Sequence, residues 1–254
     1  SVPGNVLSEY CKIRVYDPNN LNTTNEGLNY FDLRGNITVT RPNGQEVFEV
    51  VTSEYINWTK QGNISTVDIK YSYDNGSSYN TTLASGVTAA NLSWNWSIAN
   101  STTLTTLGKI KVADSSRPTV VYDITDGTFE LRGRLEILTP SDPGVVMTYD
   151  RGNTAYNISW NRYGPINKVN LSYDTGSGTY PNSIITNLSA TSTPYPWTIP
   201  NSIGTALSIK INDFDNPAVN DTSNNTFAIK GSLLVKYPNG GESFLKGSAQ
   251  NINW

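Results

Sequence analysis

The chain has 254 residues, with 18 basic and 21 acidic side chains, a formal net charge of −3 and a single cysteine. This balance lacks the basic face that nucleic-acid binding requires, and no apolar run approaches the ~20 residues of a membrane span. Because histidine is absent, Ser–His and Cys–His nucleophile pairs and His-ligated zinc sites are excluded within this chain.

A five-residue segment recurs at a constant distance. Phe31–Gly35 (FDLRG) returns as Phe129–Gly133 (FELRG) and again as Phe227–Gly231 (FAIKG), 98 residues apart each time. A constant period of this length indicates a tandem array of small domains. We therefore expect the fold, and much of the function, to belong to the repeated unit.

The repeat divides the chain into four parts. Residues 1–34 match the C-terminal part of a preceding module, and residues 231–254 match the N-terminal part of a following one. Residues 35–132 and 133–230 are predicted to be complete modules. Since a partial module cannot bury its own apolar face, we expect this chain to be a piece of a longer array.

The strand signal has a period of two residues. Val67, Ile69, Tyr71 and Tyr73 are predicted to face one way along a strand, with polar residues between them. Segments 73–77 and 173–177 are predicted to form tight hairpin turns at Asn and Gly. The predicted fold class is all-β, with tandem antiparallel β-sandwiches of immunoglobulin or fibronectin-III type and about seven strands per module.

Tryptophan recurs at two positions of each module. Trp58 and Trp160 are predicted core residues, with Trp96 and Trp197 forming a second aromatic layer. Cys11 occupies the repeat position of Leu207 and is predicted to be a buried core thiol. A single Gly separates the last strand of one module from the first strand of the next, so we expect stiff junctions.

Asn-X-Ser/Thr sequons are about twice as frequent as this composition gives by chance. Several are predicted to point outward from strands or to lie in loops, which is typical of a glycosylated surface protein. Incidental matches on a polar surface explain the same pattern. The candidate glycosylation sites are Asn22, Asn36, Asn57, Asn63, Asn75, Asn80, Asn91, Asn95, Asn100, Asn157, Asn170, Asn187, Asn220 and Asn224.

One loop concentrates acidic side chains. Asp213, Asp215 and Asp221 are calcium candidates, because carboxylate oxygens at this density are ligands that Ca²⁺ prefers. A site built into the repeat should recur, but the corresponding loop of the first module does not repeat the pattern, which favours a solvated turn over a calcium site. No other cofactor is predicted.

Short motifs of the chain match a known type of repeat. They are Pro238–Glu242, Ile56–Trp58, Ser72–Gly76, Trp197–Pro200 and Ile110–Asp114. The pattern resembles the immunoglobulin-like repeats of microbial cell-surface and S-layer-type proteins, and it is similar to the Ser/Thr-rich, GPI-anchored cell-wall family of fungi. It departs at Ala99 and at the Pro140–Gly144 turn. The resemblance implies an extracellular, non-enzymatic structural or adhesive module.

Two functions follow as expectations. The first is a structural component of a cell-surface layer, sheath or extracellular filament, whose partners are other copies of itself and covalent glycans. The alternative is an adhesin stalk or a carbohydrate-binding ancillary module of a larger secreted protein. The alternative depends on aromatic side chains outside the predicted core that can stack on sugars. These are Tyr79, Trp94, Tyr180 and Tyr195.

Overall fold

A computed structural model describes residues 7–151 and 154–254, which fold almost entirely as β-strands. By internal contacts the chain divides into two compact units, residues 1–133 and 134–254. Each unit contains one complete β-sandwich, and the prediction of tandem immunoglobulin- or fibronectin-III-like β-sandwiches is confirmed.

Residues 7–34 form two separate two-stranded sheets. β1 (Ser8–Cys11) pairs with β4 (Phe31–Leu33), and β2 (Arg14–Asp17) pairs with β3 (Asn20–Glu26). The prediction that Cys11 is buried is wrong, since its side chain is only half-buried. The physical reason is that no second sheet packs over these strands among the described residues of this segment, so Ile13 is 64% exposed.

The first sandwich contains nine strands rather than about seven. One short strand follows the Pro42 turn, and another lies beside the longest strand. The strands are β5 (Asn36–Arg41), β6 (Val47–Glu49), β7 (Ser53–Gln61), β8 (Thr66–Ser72), β9 (Thr81–Thr88), β10 (Ser93–Ser97), β11 (Thr105–Asp114), β12 (Tyr122–Ile124) and β13 (Phe129–Arg132).

These strands form two facing sheets. One has the order β10-β7-β5, and the other has the order β6-β13-β11-β8-β9, with β12 beside β11. Only the β6–β13 pair is parallel among the described pairs of this sandwich. Apolar side chains alternate inward along the strands, so Val67, Ile69 and Tyr71 of β8 are buried, whereas Tyr73 lies beyond the strand end and is 43% exposed.

The second sandwich repeats this topology strand for strand. Its sheets have the orders β14-β16-β19 and β15-β22-β20-β17-β18, with β21 beside β20. The strands are β14 (Arg134–Thr139), β15 (Val146–Tyr149), β16 (Ala155–Tyr163), β17 (Lys168–Asp174), β18 (Asn182–Ser189), β19 (Tyr195–Thr198), β20 (Gly204–Asp213), β21 (Asn220–Thr222) and β22 (Phe227–Gly231).

The repeat register deduced from the sequence holds in the strand pairing. In each copy, the residue at the position of Cys11 lies opposite the first residue of the recurring Phe segment. The three pairs that result are Cys11–Phe31, Gly108–Phe129 and Leu207–Phe227. Phe129 and Phe227 are buried, but Phe31 is 41% exposed, because only the complete modules supply a facing sheet.

Both predicted tryptophan layers are confirmed. The indole N–H of Trp58 donates to the Ala89 carbonyl at 3.1 Å, and that of Trp160 donates to the Ala190 carbonyl at 3.1 Å. In the second layer, Trp96 and Phe129 meet edge-to-face at 6.3 Å between ring centroids. Trp197 and Phe227 repeat this arrangement at 6.0 Å. Edge-to-face pairs match the positive ring edge to the negative ring face, which stabilises the core beyond its apolar burial.

The loops after β8 and β17 are longer than the tight turns that were predicted. In the first, spanning residues 73–80, the Asp74 carboxylate accepts hydrogen bonds from the Ser72 and Ser78 hydroxyls and from the Ser78 N–H. These bonds hold the pKa of Asp74 at about 2. In the second loop, hydrogen bonds from the Ser177 hydroxyl and from the Gly178 and Gly176 N–H groups likewise lower the pKa of Asp174 to about 2.

Candidate functional site

The candidate glycosylation sites lie at the protein surface. Twelve of the fourteen asparagines are exposed, and the remaining two, Asn57 and Asn170, are half-buried. Asn57 and Asn95 lie on β7 and β10, and Asn95 is directly opposite Tyr55 in the antiparallel register. The fold therefore leaves most of the sequon asparagines exposed to solvent.

Several sequon side chains also have hydrogen bonds, and the Asn36 side-chain nitrogen, for example, donates to the Thr38 hydroxyl at 3.4 Å. Asn57 accepts from the Ser93 hydroxyl at 2.9 Å, and Asn170 accepts from the Asn187 N–H at 3.0 Å. The side-chain nitrogen of Asn220 donates to the carbonyls of Pro217 and Ala218. A glycan attaches through this nitrogen, so a sugar on Asn220 would disturb its loop, whereas the bonds of Asn57 and Asn170 use the oxygen.

The calcium candidates have separate roles in their loop. Asp213 is buried, and burial raises its pKa although it accepts the Asp215 N–H at 3.0 Å. Asp221 accepts the backbone N–H of Ile137 at 2.7 Å, and Asp215 is exposed. In the described part of the chain, no three His, Cys, Asp or Glu side chains form a group that could hold a metal ion.

The four candidate sugar-stacking residues are all half-buried. Trp94 lies opposite Ile56 in the β7–β10 pair, on the same strand face as the core residue Trp96. Tyr195 lies opposite Ile158 in the β16–β19 pair. Tyr79 and Tyr180 instead occupy equivalent positions beside a lysine on the outer face of each larger sheet.

These two tyrosines have equivalent lysine neighbours but different hydroxyl environments. The Lys111 ammonium lies 6.0 Å from the Tyr79 ring centroid, and that of Lys210 lies 5.8 Å from the Tyr180 ring centroid. The Tyr180 hydroxyl accepts a hydrogen bond from Ser208 at 3.1 Å. The Tyr79 hydroxyl is buried without a partner among the described residues, and burial raises its pKa to about 12.

A lysine pair that the sequence did not single out lies beside Tyr79. Lys70 on β8 and Lys111 on β11 are directly opposite each other in the antiparallel register. The Lys111 ammonium lies 3.8 Å above the centroid of the Tyr122 ring. Burial and the neighbouring Lys70 charge lower the pKa of Lys111. The sequence alone does not reveal this pair, because the two lysines are 41 residues apart and meet only through strand pairing.

A shallow pocket opens at this pair. Its volume is about 220 Å³, and its lining includes Asp68, Lys70, Tyr79, Lys111 and Pro118. The Asp68 carboxylate accepts hydrogen bonds from the Gly86 N–H at 2.9 Å and from the Ser115 hydroxyl at 2.7 Å. This carboxylate is thus oriented by neutral donors, and the positive charge of the pocket comes from the two lysines.

Within the first unit, residues 7–34 are tied to the adjoining sandwich by Arg117. Its guanidinium donates to Asp32 at 2.7 Å and lies 3.2 Å from a Glu9 oxygen. The Asp32 hydrogen bond raises the pKa of Arg117, so the group stays charged. A cavity of about 510 Å³ lies at the same junction, and the sequon residue Asn63 lines it.

No helix in residues 7–151 or 154–254 is long and apolar enough to cross a membrane. The chain matches no protein-family model, and no curated protein matches it in sequence.

Three solved structures are among those that are similar to it. Fibronectin(III)-like modules of Clostridium thermocellum CbhA share 16% identity over 77% of this chain and 94% of theirs, with a TM-score of 0.27. The four N-terminal Ig domains of Dscam1 share 11% sequence identity, over 84% of this chain and 52% of their own length, with a TM-score of 0.36. The ICAM-5 D1–D4 ectodomain fragment shares 9% sequence identity, over 85% of this chain and 60% of its own length, with a TM-score of 0.34.

This chain therefore spans between half and two thirds of the length of the Dscam1 and ICAM-5 fragments. At such identities and TM-scores, the fold class rests on the strand topology given above.

Proposed function

We propose that this chain is a non-enzymatic structural component of a cell-surface layer, sheath or extracellular filament, built of tandem immunoglobulin-like repeats and carrying glycans. The supporting observation is that the two sandwiches reproduce the same structural contacts at matching repeat positions. The indole–carbonyl hydrogen bonds of Trp58 and Trp160 and the Asp123 and Asp221 carboxylates that hold the first strands are examples.

Such repetition supports a mechanical function. A binding module needs one distinctive loop set, whereas an extended surface structure needs many equivalent units, each stable by its own core. Both sandwiches bury complete sets of apolar side chains without a disulfide, since the chain has one cysteine.

The junction within the first unit adds a second line of support. Arg117 donates a hydrogen bond to Asp32 and forms an ion pair with Glu9. A methyl group in place of a hydrogen on Gly35 would lie 2.7 Å from the Gln61 carbonyl oxygen. Segments packed this closely resist bending, as a repeat under mechanical tension requires.

The test is made on protein from its native source. Intact mass measurement and glycopeptide mass spectrometry are combined with immunogold electron microscopy of whole cells. Label in a continuous surface layer or along filaments, with sugars on the exposed sequons, is the expected result. A bare, freely soluble monomer of 27.8 kDa would overturn the proposal.

A further inference from the structure

The outer face of the larger sheet in the first sandwich carries a pair of like charges beside a single carboxylate, that of Asp68, which already accepts hydrogen bonds from the Gly86 N–H and the Ser115 hydroxyl. Lys70 and Lys111 are directly opposite each other, an arrangement that destabilises an antiparallel strand pair. Neither ammonium has a hydrogen bond or an ion pair with any residue in the described part of the chain. A third lysine on this face, Lys109, is different, because its ammonium donates to the carbonyls of Thr125 and Asp126.

The aromatic neighbours fix the position of this charge. Lys111 is held 3.8 Å above the ring of Tyr122, so its side chain is oriented at the pocket wall and is not extended into bulk water. Tyr79 lines the same pocket together with the methyl group of Ala113 and the ring of Pro118. The result is a small cavity lined by the apolar residues Ala113 and Pro118, by Tyr79, and by two lysines and one aspartate.

The second sandwich provides an internal comparison. At the position of Lys70 it has Ser172, which is opposite Lys210 in the same register. The lysine–tyrosine pair is kept there by Lys210 and Tyr180. The lysine–tyrosine pair on the outer face is therefore part of the repeat, whereas Lys70 is present only in the first of the two sandwiches.

We propose that this pocket binds the carboxylate of an acidic sugar residue within a polysaccharide. The carboxylate lies between the Lys70 and Lys111 ammonium groups and removes their mutual repulsion, and the pyranose ring packs against Tyr79. The Thr119 side chain at the rim offers a hydroxyl to the sugar.

The dimensions favour a sugar over an acidic peptide. A cavity of about 220 Å³ is below the usual range for drug-sized ligands and suits one ring. The slender stem of an Asp or Glu side chain would leave the apolar wall beside Tyr79 uncovered. A ring that bears both a carboxylate and apolar C–H groups covers the wall and meets the charges together.

The experiment measures binding of tri-galacturonate to the full chain by isothermal titration calorimetry at low salt. Maltotriose is the neutral sugar of the same length, and a six-residue peptide containing three Glu is the acidic alternative. The variant Lys70→Ser copies the residue of the second sandwich, so we expect it to fold. Lys210→Ser is the matched control, because it removes the same charge from the equivalent face.

The expected result is one binding site for tri-galacturonate, weakened at least tenfold in Lys70→Ser and changed less than twofold in Lys210→Ser. Maltotriose and the peptide should bind at least tenfold more weakly than tri-galacturonate. No binding of tri-galacturonate, equal binding by Lys70→Ser, or tighter binding of the peptide would each overturn the proposal. The site does not depend on the structural role proposed above, whose test is made on native cells.

Discussion

The carboxylate of Asp123 accepts a hydrogen bond from the backbone N–H of Val39 at 2.7 Å, across a sequence separation of 84 residues. Val39 lies on β5, the edge strand of the smaller sheet, and Asp123 lies on β12, beside the larger sheet. The bond therefore connects the two sheets and satisfies an edge N–H that the ladder leaves unpaired. Asp221 and Ile137 repeat it in the second sandwich at 2.7 Å.

Replacing this carboxylate should destabilise the first sandwich. In Asp123→Ala the Val39 N–H loses its acceptor while it stays buried, which costs about 1–3 kcal/mol of unfolding free energy. Hydrogen exchange of the peptide containing Val39, together with the urea midpoint, measures the loss. Asp123→Asn keeps a side-chain carbonyl and is the matched control, with a smaller cost. Unchanged exchange at Val39 in the Ala variant would show that water replaces the carboxylate without loss.

The indole hydrogen bond of Trp58 should contribute strongly to stability. Trp58→Phe removes the donor to the Ala89 carbonyl and leaves a void in a side-chain position that is 1% exposed. We expect a loss of about 2–4 kcal/mol, combining the unpaired carbonyl with the cavity.

The half-buried Trp94 provides the comparison for that experiment. Trp94→Phe should cost less than half as much, since part of this side chain already contacts water. Urea unfolding followed by far-ultraviolet circular dichroism separates the two variants. Equal losses would contradict the prediction, because neither the hydrogen bond nor the fuller burial of Trp58 would then add to stability.

Stability should fall in acid because of the two hairpin aspartates. The pKa values of Asp74 and Asp174 are about 2 in the folded protein, below the ordinary value of 3.8. Their stabilisation is therefore fully present above about pH 4 and is lost as the pH falls from there through 2. Urea midpoints at pH 7, 4 and 2.5 should decrease in the wild type and decrease less in the double variant Asp74→Asn/Asp174→Asn.

Asp213 should act with the opposite sign. Burial raises the pKa of Asp213 above its ordinary value, so the folded state binds a proton more readily than the unfolded state. The stability that the protonated form contributes is therefore lost as the pH rises through the pKa of the folded protein. Asp213→Asn should remove this part of the pH dependence. A variant that steepens the acid loss instead would contradict the assignment.

Arg117 should control the attachment of residues 7–34 to the first sandwich. Arg117→Ala removes contacts with Glu9 and Asp32, and because these carboxylates are partly exposed we expect only about 1 kcal/mol of local stability to be lost. Faster hydrogen exchange in residues 8–33, with no change in the second unit, is the predicted readout. Arg14→Ala, which breaks only a bond to Thr24 within the same segment, should leave the junction unaffected.

The fold class was readable because its signals are local and repeated. Alternation along β8 predicted the buried positions of Val67, Ile69 and Tyr71, and the recurrence of tryptophan at matching positions of the two modules predicted the core tryptophans. The prediction for Cys11 failed for a tertiary reason, since the strand pattern was right but no facing sheet covers it in the described structure. The pattern shows which face is apolar, but not what lies on it.

The sequence by itself therefore determined the strands, their repeat and their inward faces, because side-chain alternation and turn residues act between near neighbours. Only the tertiary structure decided that Lys70 meets Lys111, that Asp123 reaches Val39 and that Arg117 reaches Asp32. Each of these contacts depends on strand order and register between segments 41 to 85 residues apart. Pairing across such distances is set by the packing of the whole sandwich, which no short stretch of sequence encodes.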